Sequence, residues 1–218
     1  NYYTNEEITI PLDPTQTPGE NAQRYFAKYN KQKRTFEALT ELIQETADDI
    51  QYLESISNAL DIALNEADLA QIKEELMQSG YIRRKHTKKK VKLTSKPMHY
   101  ISSDGYDMYV GKNNLQNEEL TFSFANGNDW WFHAKGAPGS HVIVKSGGDE
   151  LPDRTFEEAG RLAAYYSKNR GADKVEIDYI QKKHIKKPNG AKPGFVVYYT
   201  NYSLVIDSDI SNIKNVQD

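Results

Sequence analysis

The apolar positions change period twice along the chain, and each change marks a different kind of structure. From about residue 20 to 64 they recur at Ala22, Tyr25, Tyr29, Gln32, Phe36, Leu39, Ile43, Thr46, Ile50, Leu53, Ser57, Leu60 and Leu64, a strict 3-4 alternation. Ten of these thirteen residues are apolar or aromatic, which predicts one long helix with a coiled-coil seam. A helix of that span is roughly 65 Å long. A shorter return helix follows over about 66–79, with Leu69, Ile72 and Leu76 on its apolar face and Gly80 as its stop. It is too short to cover the seam. The seam therefore calls for an upstream antiparallel helix or a second chain. Ahead of the long helix, Ile8, Ile10 and Leu12 alternate with polar neighbours and predict a short edge strand, confined by Pro11, Pro14 and Pro18.

Beyond residue 97 the period becomes 2. Strands are predicted at 106–111, 120–124, 129–134, 140–144, 175–178, 195–199 and 202–206. One helix interrupts them. Thr155 and Glu158 are spaced as a capping box, Leu162, Ala163 and Tyr166 form its apolar face, and Gly171 ends it. The expected fold class is α+β: a long coiled-coil helix with a short return helix, then a mostly antiparallel sheet with one main helix on one side. The expected domains are 1–96, a partial coiled-coil region with a basic linker, and 97–218, the α+β domain.

The stretch DWWFHAKGAPGSHVIV, residues 129–144, is the centre of that domain. Trp130, Phe132 and Ala134 alternate with Trp131, His133 and Lys135, the pattern of a strand with two unlike faces. Gly136-Ala137-Pro138-Gly139 breaks the pattern, and Val142, Ile143 and Val144 resume it. Two strands joined by a tight loop would gather His133, Lys135, Ser140 and His141 beside exposed aromatic faces. Such a patch suits a planar or anionic partner.

Charge sharpens this picture. The net charge of −3 hides a segregation: residues 1–80 carry 6 Lys+Arg against 15 Asp+Glu, whereas residues 81–97 carry 8 basic residues and no acid. That run is Arg83, Arg84, Lys85, Lys88, Lys89, Lys90, Lys92 and Lys96, flanked by Tyr81, His86 and Tyr100. It serves either as a solvated linker or as a phosphate contact. A second basic element, QKKHIKKPNGAKPG over 181–194, carries Lys182, Lys183, Lys186, Lys187 and Lys192 close to Tyr179, Tyr198, Tyr199 and Tyr202. Lysines for phosphate and rings for bases are the combination that grips single-stranded or looped RNA.

Other chemistries fit poorly. No apolar run approaches 18 residues, so no membrane insertion is expected. Cysteine is absent, which removes disulfides and thiolate metal sites. His133 and His141 with Asp129 match no common ligand spacing, so neither metal nor cofactor is expected. Ser140 and His141 are adjacent in a strand and point to opposite faces, which excludes a nucleophile–base pair. GAPGS lacks the Lys-Ser/Thr ending of a P-loop. Catalysis is not expected. The chain opens on Asn1 rather than Met, and is read as a piece of a longer protein.

Several of these segments resemble one family. LDPTQTPGENAQRYFAKYNKQK, YVGKNNLQNEELTF, DWWFHAKGAPGSHVIV, AAYYS and KKPNGAKPGFVVY, in that order, look like the second half of a bacterial NFACT protein. These proteins are also called fibronectin-binding protein A-like and include the bacterial ribosome quality-control factor. The resemblance implies the later part of the middle coiled-coil region followed by an NFACT-R domain, named for RNA binding. It implies a non-catalytic half lacking the N-terminal domain linked to alanine tailing, a cytoplasmic location, and the stalled large ribosomal subunit and its tRNA as partners. Within it, Lys88, Lys89, Lys90, Lys182, Lys183, Lys186 and Lys187 would neutralise phosphate. Trp131 and His133 would stack or hydrogen-bond, and Lys135, Ser140 and His141 would surround the turn. The alternative that the same family suggests is a surface adhesin of a Gram-positive bacterium that binds fibronectin without a recognisable signal peptide. Self-association through the unpaired seam is a further expectation.

Overall fold

The computed structural model describes residues 1–83 and 95–216. They form two compact units, residues 1–50 and residues 51–218. The class is α+β: a long N-terminal helix, three shorter helices and a seven-stranded antiparallel sheet among the described residues.

Helix α1 runs from Pro18 to Ile62. It starts where the sequence supplies both halves of a capping box. The Thr17 amide and hydroxyl donate to Glu20 Oε2 at 2.7 and 2.8 Å, and the Glu20 amide donates to Thr17 Oγ1 at 3.3 Å. Pro18 at the first helical position gives up no hydrogen bond there. The seam positions stay bare: Phe36, Leu39, Ile43 and Ile50 are 50–71% exposed. Further along, Leu53, Leu60 and Leu64 are exposed too, while the neighbouring face buries Tyr52, Ile56 and Ala59 against Ile72. Helix α2 (Glu66–Gln78) thus packs beside the seam and covers none of it. Asn65 caps its start by accepting from the Asp68 amide at 3.1 Å. Its end is a Schellman turn around Gly80 (φ 81°), with Tyr81 N–H donating to the Leu76 carbonyl at 2.9 Å and Gly80 N–H to the Met77 carbonyl at 3.3 Å.

The strands are β1 (Met98–Ile101), β2 (Asp107–Val110), β3 (Trp130–Ala134), β4 (Val142–Val144), β5 (Val175–Gln181), β6 (Tyr202–Ile206) and β7 (Lys214–Asn215). Their order in the sheet is β6-β5-β3-β4-β2-β1-β7. Helix α4 (Asp153–Tyr165) covers one face, and a core of Met108, Val110, Phe132, Val142, Val144, Leu162 and Ile177 fills the space between. Helix α3 (Asn114–Glu119), the π-helical turn that continues it (Leu120–Phe124) and the segment around 185–198 cover the other face over Trp131, Ile143 and Ile180. The strands therefore carry apolar residues on both sides where they are centrally placed.

Several sequence expectations are overturned. Leu120–Phe124 is helical, because Asn113 accepts from the Gln116 amide at 3.0 Å and launches a helix that runs through a strand-like L-T-F-S-F alternation. Residues 195–199 make only a single bridge, Val197 to Lys186. Both sides of β5 are already taken by β3 and β6, so Val196 and Tyr198 pack on the second core instead. Residues 8–12 form no strand: Ile8, Ile10 and Leu12 are each 60% exposed, and the Pro11 carbonyl accepts from Tyr25 OH at 2.5 Å. Thr155 and Glu158 are not a capping box, since Pro152 holds the cap position. Thr155 Oγ1 donates to Asp104 at 2.8 Å and Glu158 accepts from the Ser103 amide at 2.8 Å, so both tether the β1–β2 turn. Helix α4 ends at Tyr165, six residues before Gly171. β1 and β7 are strands the apolar pattern did not reveal.

The helical hairpin joins the sheet through side chains that are polar rather than apolar. Lys112 Nζ donates to both oxygens of Asp68 at 3.1 and 3.3 Å, and Ser95 Oγ donates to Asp68 at 2.5 Å. Gln71 Oε1 accepts from Asn113 at 2.9 Å and from Gln116 at 2.7 Å. Glu75 Oε1 accepts from Tyr52 and Asn114, both at 2.9 Å. The GKNN segment (111–114) is consumed in this joint. Gly111 is required there, because a Cβ would stand 2.2 Å from Asn117 Oδ1 and 3.0 Å from the Asn117 backbone nitrogen.

Candidate nucleic-acid interface

Strands β3 and β4 pair antiparallel across the GAPG turn, with Gly136 at φ 63°. The turn does bring Trp131, His133 and His141 together, but within the fold. Trp131 is 0% exposed and His141 3%. The Trp131 ring lies 5.6 Å from His133 and 5.0 Å from His141, and the two imidazoles are 5.4 Å apart. Trp131 is therefore core, and base stacking on it is ruled out. Its neighbours Leu120, Ile180 and Tyr198 seal it, which strand alternation alone did not reveal. His141 is anchored: its amide donates to Asn117 Oδ1 at 2.9 Å, and Nδ1 lies 2.7 Å from Thr121 Oγ1 and 3.2 Å from the Asn117 carbonyl.

Ser140 is equally buried, at 2% exposure, with its amide bonded to the Tyr166 carbonyl at 2.9 Å. Buried Ser140 and His141 cannot surround an open turn as expected. His133 is partly exposed and sits opposite Asp178 on β5. Asp178 accepts from Tyr198 OH at 2.9 Å and Ser203 Oγ at 2.6 Å. Lys135 is exposed and paired with Glu176 at 2.5 Å. Its charge is thus partly used. Asp129 holds the neighbouring turn by accepting from the Asn126 amide at 2.7 Å and from Lys145 Nζ at 2.5 Å. Among the described residues no group of three or more His, Asp or Glu side chains is placed to hold a metal ion.

Burial pushes the His133 imidazole down to about 4, with Asp178 and the Gly139 backbone opposing, and pushes His141 well below the ordinary value. Both rings are neutral at physiological pH. Because the folded pKa lies below the unfolded one, the stability that comes from holding these rings neutral is complete above about 6.5 and drains away as pH falls toward 4. Urea midpoints measured across that window are expected to decline, and a His141→Gln variant to decline less steeply.

The exposed cations lie on the next segment. A 3₁₀ turn, Lys182–His184, follows β5 directly. The Lys182 amide donates to the Asp129 carbonyl at 2.9 Å and the Lys183 amide to the Gly127 carbonyl at 3.0 Å, which clamps this turn onto the 126–129 turn. Lys186 exchanges backbone hydrogen bonds with Val197 at 3.0 and 2.9 Å. Lys183 and Lys186 are exposed, Lys182 is partly so, and Lys187 pairs with Glu118 at 2.7 Å. Lys192 Nζ lies 4.6 and 5.2 Å from the Tyr52 and Tyr81 rings and 2.8 Å from Tyr81 OH. Lys88, Lys89 and Lys90 lie outside the described residues. Sequence reasoning missed an aromatic row, His99, Tyr109 and Phe124, on the same sheet face. The sequence signal was its nearness to charge, because His99 stands three residues after Lys96.

Comparison with known proteins places these features in context. Residues 1–95 match the family model for NFACT N-terminal and middle domains, and residues 96–200 match that for the NFACT protein RNA binding domain. The chain is 46% identical over 218 residues to the Rqc2 homolog RqcH of Streptococcus pneumoniae serotype 2 strain D39, and 41% identical over 220 residues to that of Bacillus subtilis strain 168. It spans 39% and 38% of the length of those two relatives. Among solved structures, the C-terminal part of the fibronectin/fibrinogen-binding protein from Streptococcus suis aligns with a TM-score of 0.82 at 42% identity, covering 92% of this chain and 81% of that one.

Proposed function

Because the chain belongs to the NFACT family, we propose that it is the C-terminal half of a ribosome-associated quality-control factor that binds tRNA or rRNA on stalled large ribosomal subunits. The observation that carries this reading is the clamped turn at Lys182–Lys186, which presents cations on a hydrogen-bonded backbone within the RNA-binding-domain match. We read it as a binding module rather than a catalyst; Thr121 and His141, a hydroxyl–imidazole contact near the centre of the described residues, are both buried. Domains 1–96 and 97–218 divide the labour, a helical arm for reach and a sheet for RNA. The location follows as cytoplasmic.

The test is binding of labelled tRNA and of fibronectin in parallel. With about four phosphates neutralised, tRNA affinity is expected to fall about 50-fold between about 50 and about 200 mM salt. Changing Lys182, Lys183, Lys186 and Lys187 together to Ala should weaken binding and flatten that slope. Saturable fibronectin binding without tRNA affinity would sink the reading. The adhesin alternative has its own support in the fibronectin/fibrinogen-binding neighbour and in β6, an uncharged edge strand with Tyr202 and Val205 each 62% exposed. Strand addition there would tolerate both salt and Lys→Ala changes.

The bare seam of α1 carries a further expectation. The apolar row Phe36, Leu39, Ile43 and Ile50 should drive concentration-dependent self-association of the isolated chain. Sedimentation velocity should show a dimer or larger species that Leu39→Glu with Ile43→Glu abolishes. A monomer at every concentration would remove self-association from the account.

A further inference from the structure

A row of rings that the family resemblance did not point to, half-buried His99 and Tyr109 and exposed Phe124, lies between the two basic segments in the sequence. His99 on β1 and Tyr109 on β2 are directly paired across strands, and their rings stack at 4.5 Å with 5° between planes. Tyr109 meets Phe124 edge-on at 4.7 Å, and Phe124 is 41% exposed. Lys145 Nζ lies 4.7 Å from the Phe124 ring centre. The same Lys145 ammonium grips Asp129, whose carbonyl accepts from the Lys182 amide. A continuous set of contacts therefore runs from the Lys182–Lys183 turn through Lys145 and Phe124 to Tyr109 and His99. At its far end, His99 follows exposed Lys96 in the chain.

The π-helical turn buries its own Leu120 and Thr121 and ends at exposed Phe124, while Tyr109 packs partly against the core beside it and keeps part of its ring in solvent. His99 is fixed by a 2.7 Å hydrogen bond between Nε2 and Asp107. Rings that are held rigid lose little entropy when a flat partner stacks on them. Partly exposed rings beside lysines are an arrangement that receives bases of a single strand while cations track its backbone.

We propose that His99, Tyr109 and Phe124 form a stacking platform for unpaired nucleobases, with Lys182 and Lys183 near it for the phosphates. The inference rests on the RNA-binding reading and adds the ligand class: single-stranded or looped RNA rather than duplex. Bases in a duplex are already stacked and cannot lie on these rings.

The experiment compares an oligoadenylate of about ten nucleotides with an abasic strand of equal length, which has the same phosphates and no rings. The unaltered chain is expected to prefer oligoadenylate by about tenfold. His99→Ala with Tyr109→Leu and Phe124→Ala should bind the two strands alike, at the parent's abasic affinity and with the parent's salt slope. His99→Phe with Phe124→Tyr should keep the preference, which separates loss of rings from loss of fold. Equal binding of both strands by the parent would overturn the platform while leaving the RNA reading intact, as would a preference that persists in the triple variant. Binding of neither strand nor tRNA by the parent would overturn both.

Discussion

Lys112→Ala is expected to destabilise the fold by about 3–5 kcal/mol, because it strands a buried carboxylate. Lys112 and Asp68 side chains are 6% and 1% exposed, and their ion pair is 3.1 Å. Removing one partner leaves the other charge out of water with no opposite charge beside it. Removing both, in Asp68→Ala with Lys112→Ala, should cost clearly less than the two single changes added. Urea unfolding of the four proteins measures this, and additive costs would show that the pair does not couple. The pH dependence has two parts of opposite sign. Burial pushes the Asp68 carboxyl up, but hydrogen bonds from Ser95, the Leu64 amide and Lys112 outweigh it and hold the group below the ordinary range. Its stabilisation is complete above the ordinary carboxylate pKa and is lost as pH falls through the lowered folded value. Glu75 is the reverse. Burial pushes it up against the hydrogen bonds from Asn114 and Tyr52, and its Oε2 is buried without a hydrogen-bond partner. The folded state holds that proton more tightly, so stability falls as pH rises through the ordinary carboxylate pKa toward the raised folded one. Glu75→Gln should remove this fall and leave the protein at least as stable at neutral pH.

Trp131→Ala is expected to cost about 3–5 kcal/mol, the range for emptying a core position of an aromatic side chain. The ring is 0% exposed and touches His133, His141 and Tyr198. The cost is expected in thermal or urea unfolding with or without RNA, as for a core residue rather than a contact. Trp131→Phe should keep most of the stability and all of the RNA affinity. Fluorescence gives an independent check: in a Trp130→Phe background the remaining emission should be blue-shifted and should not be quenched by RNA. Quenching by RNA would return Trp131 to the interface.

The long helix was legible because a 3-4 repeat sustained over thirteen positions has no other economical reading. The strands around 129–144 were legible from their turn, and the basic 181–194 segment from charge alone. What the sequence hid depended on contacts between distant residues. L-T-F-S-F at 120–124 alternates like a strand, and only the Asn113 cap with burial under the sheet makes it helical. F-V-V-Y-Y at 195–199 has strand composition but finds no open edge on β5. Trp131 and His141 read as a surface patch because alternation says that two faces differ, not which is covered. The polar joint was invisible for a related reason: Asp68, Glu75, Lys112 and Asn114 read as solvent-facing residues until they are brought together.

The measurement that tests the central claim most directly is photo-crosslinking of the chain to 4-thiouridine-substituted tRNA, followed by identification of the linked peptides. Crosslinks are expected in residues 181–194 and 99–124, on the sheet face that carries the clamped lysine turn and the His99, Tyr109 and Phe124 rings. Crosslinks confined to the helix α1 seam, or none at all under conditions where tRNA binds, would contradict the assignment of the RNA interface to this face.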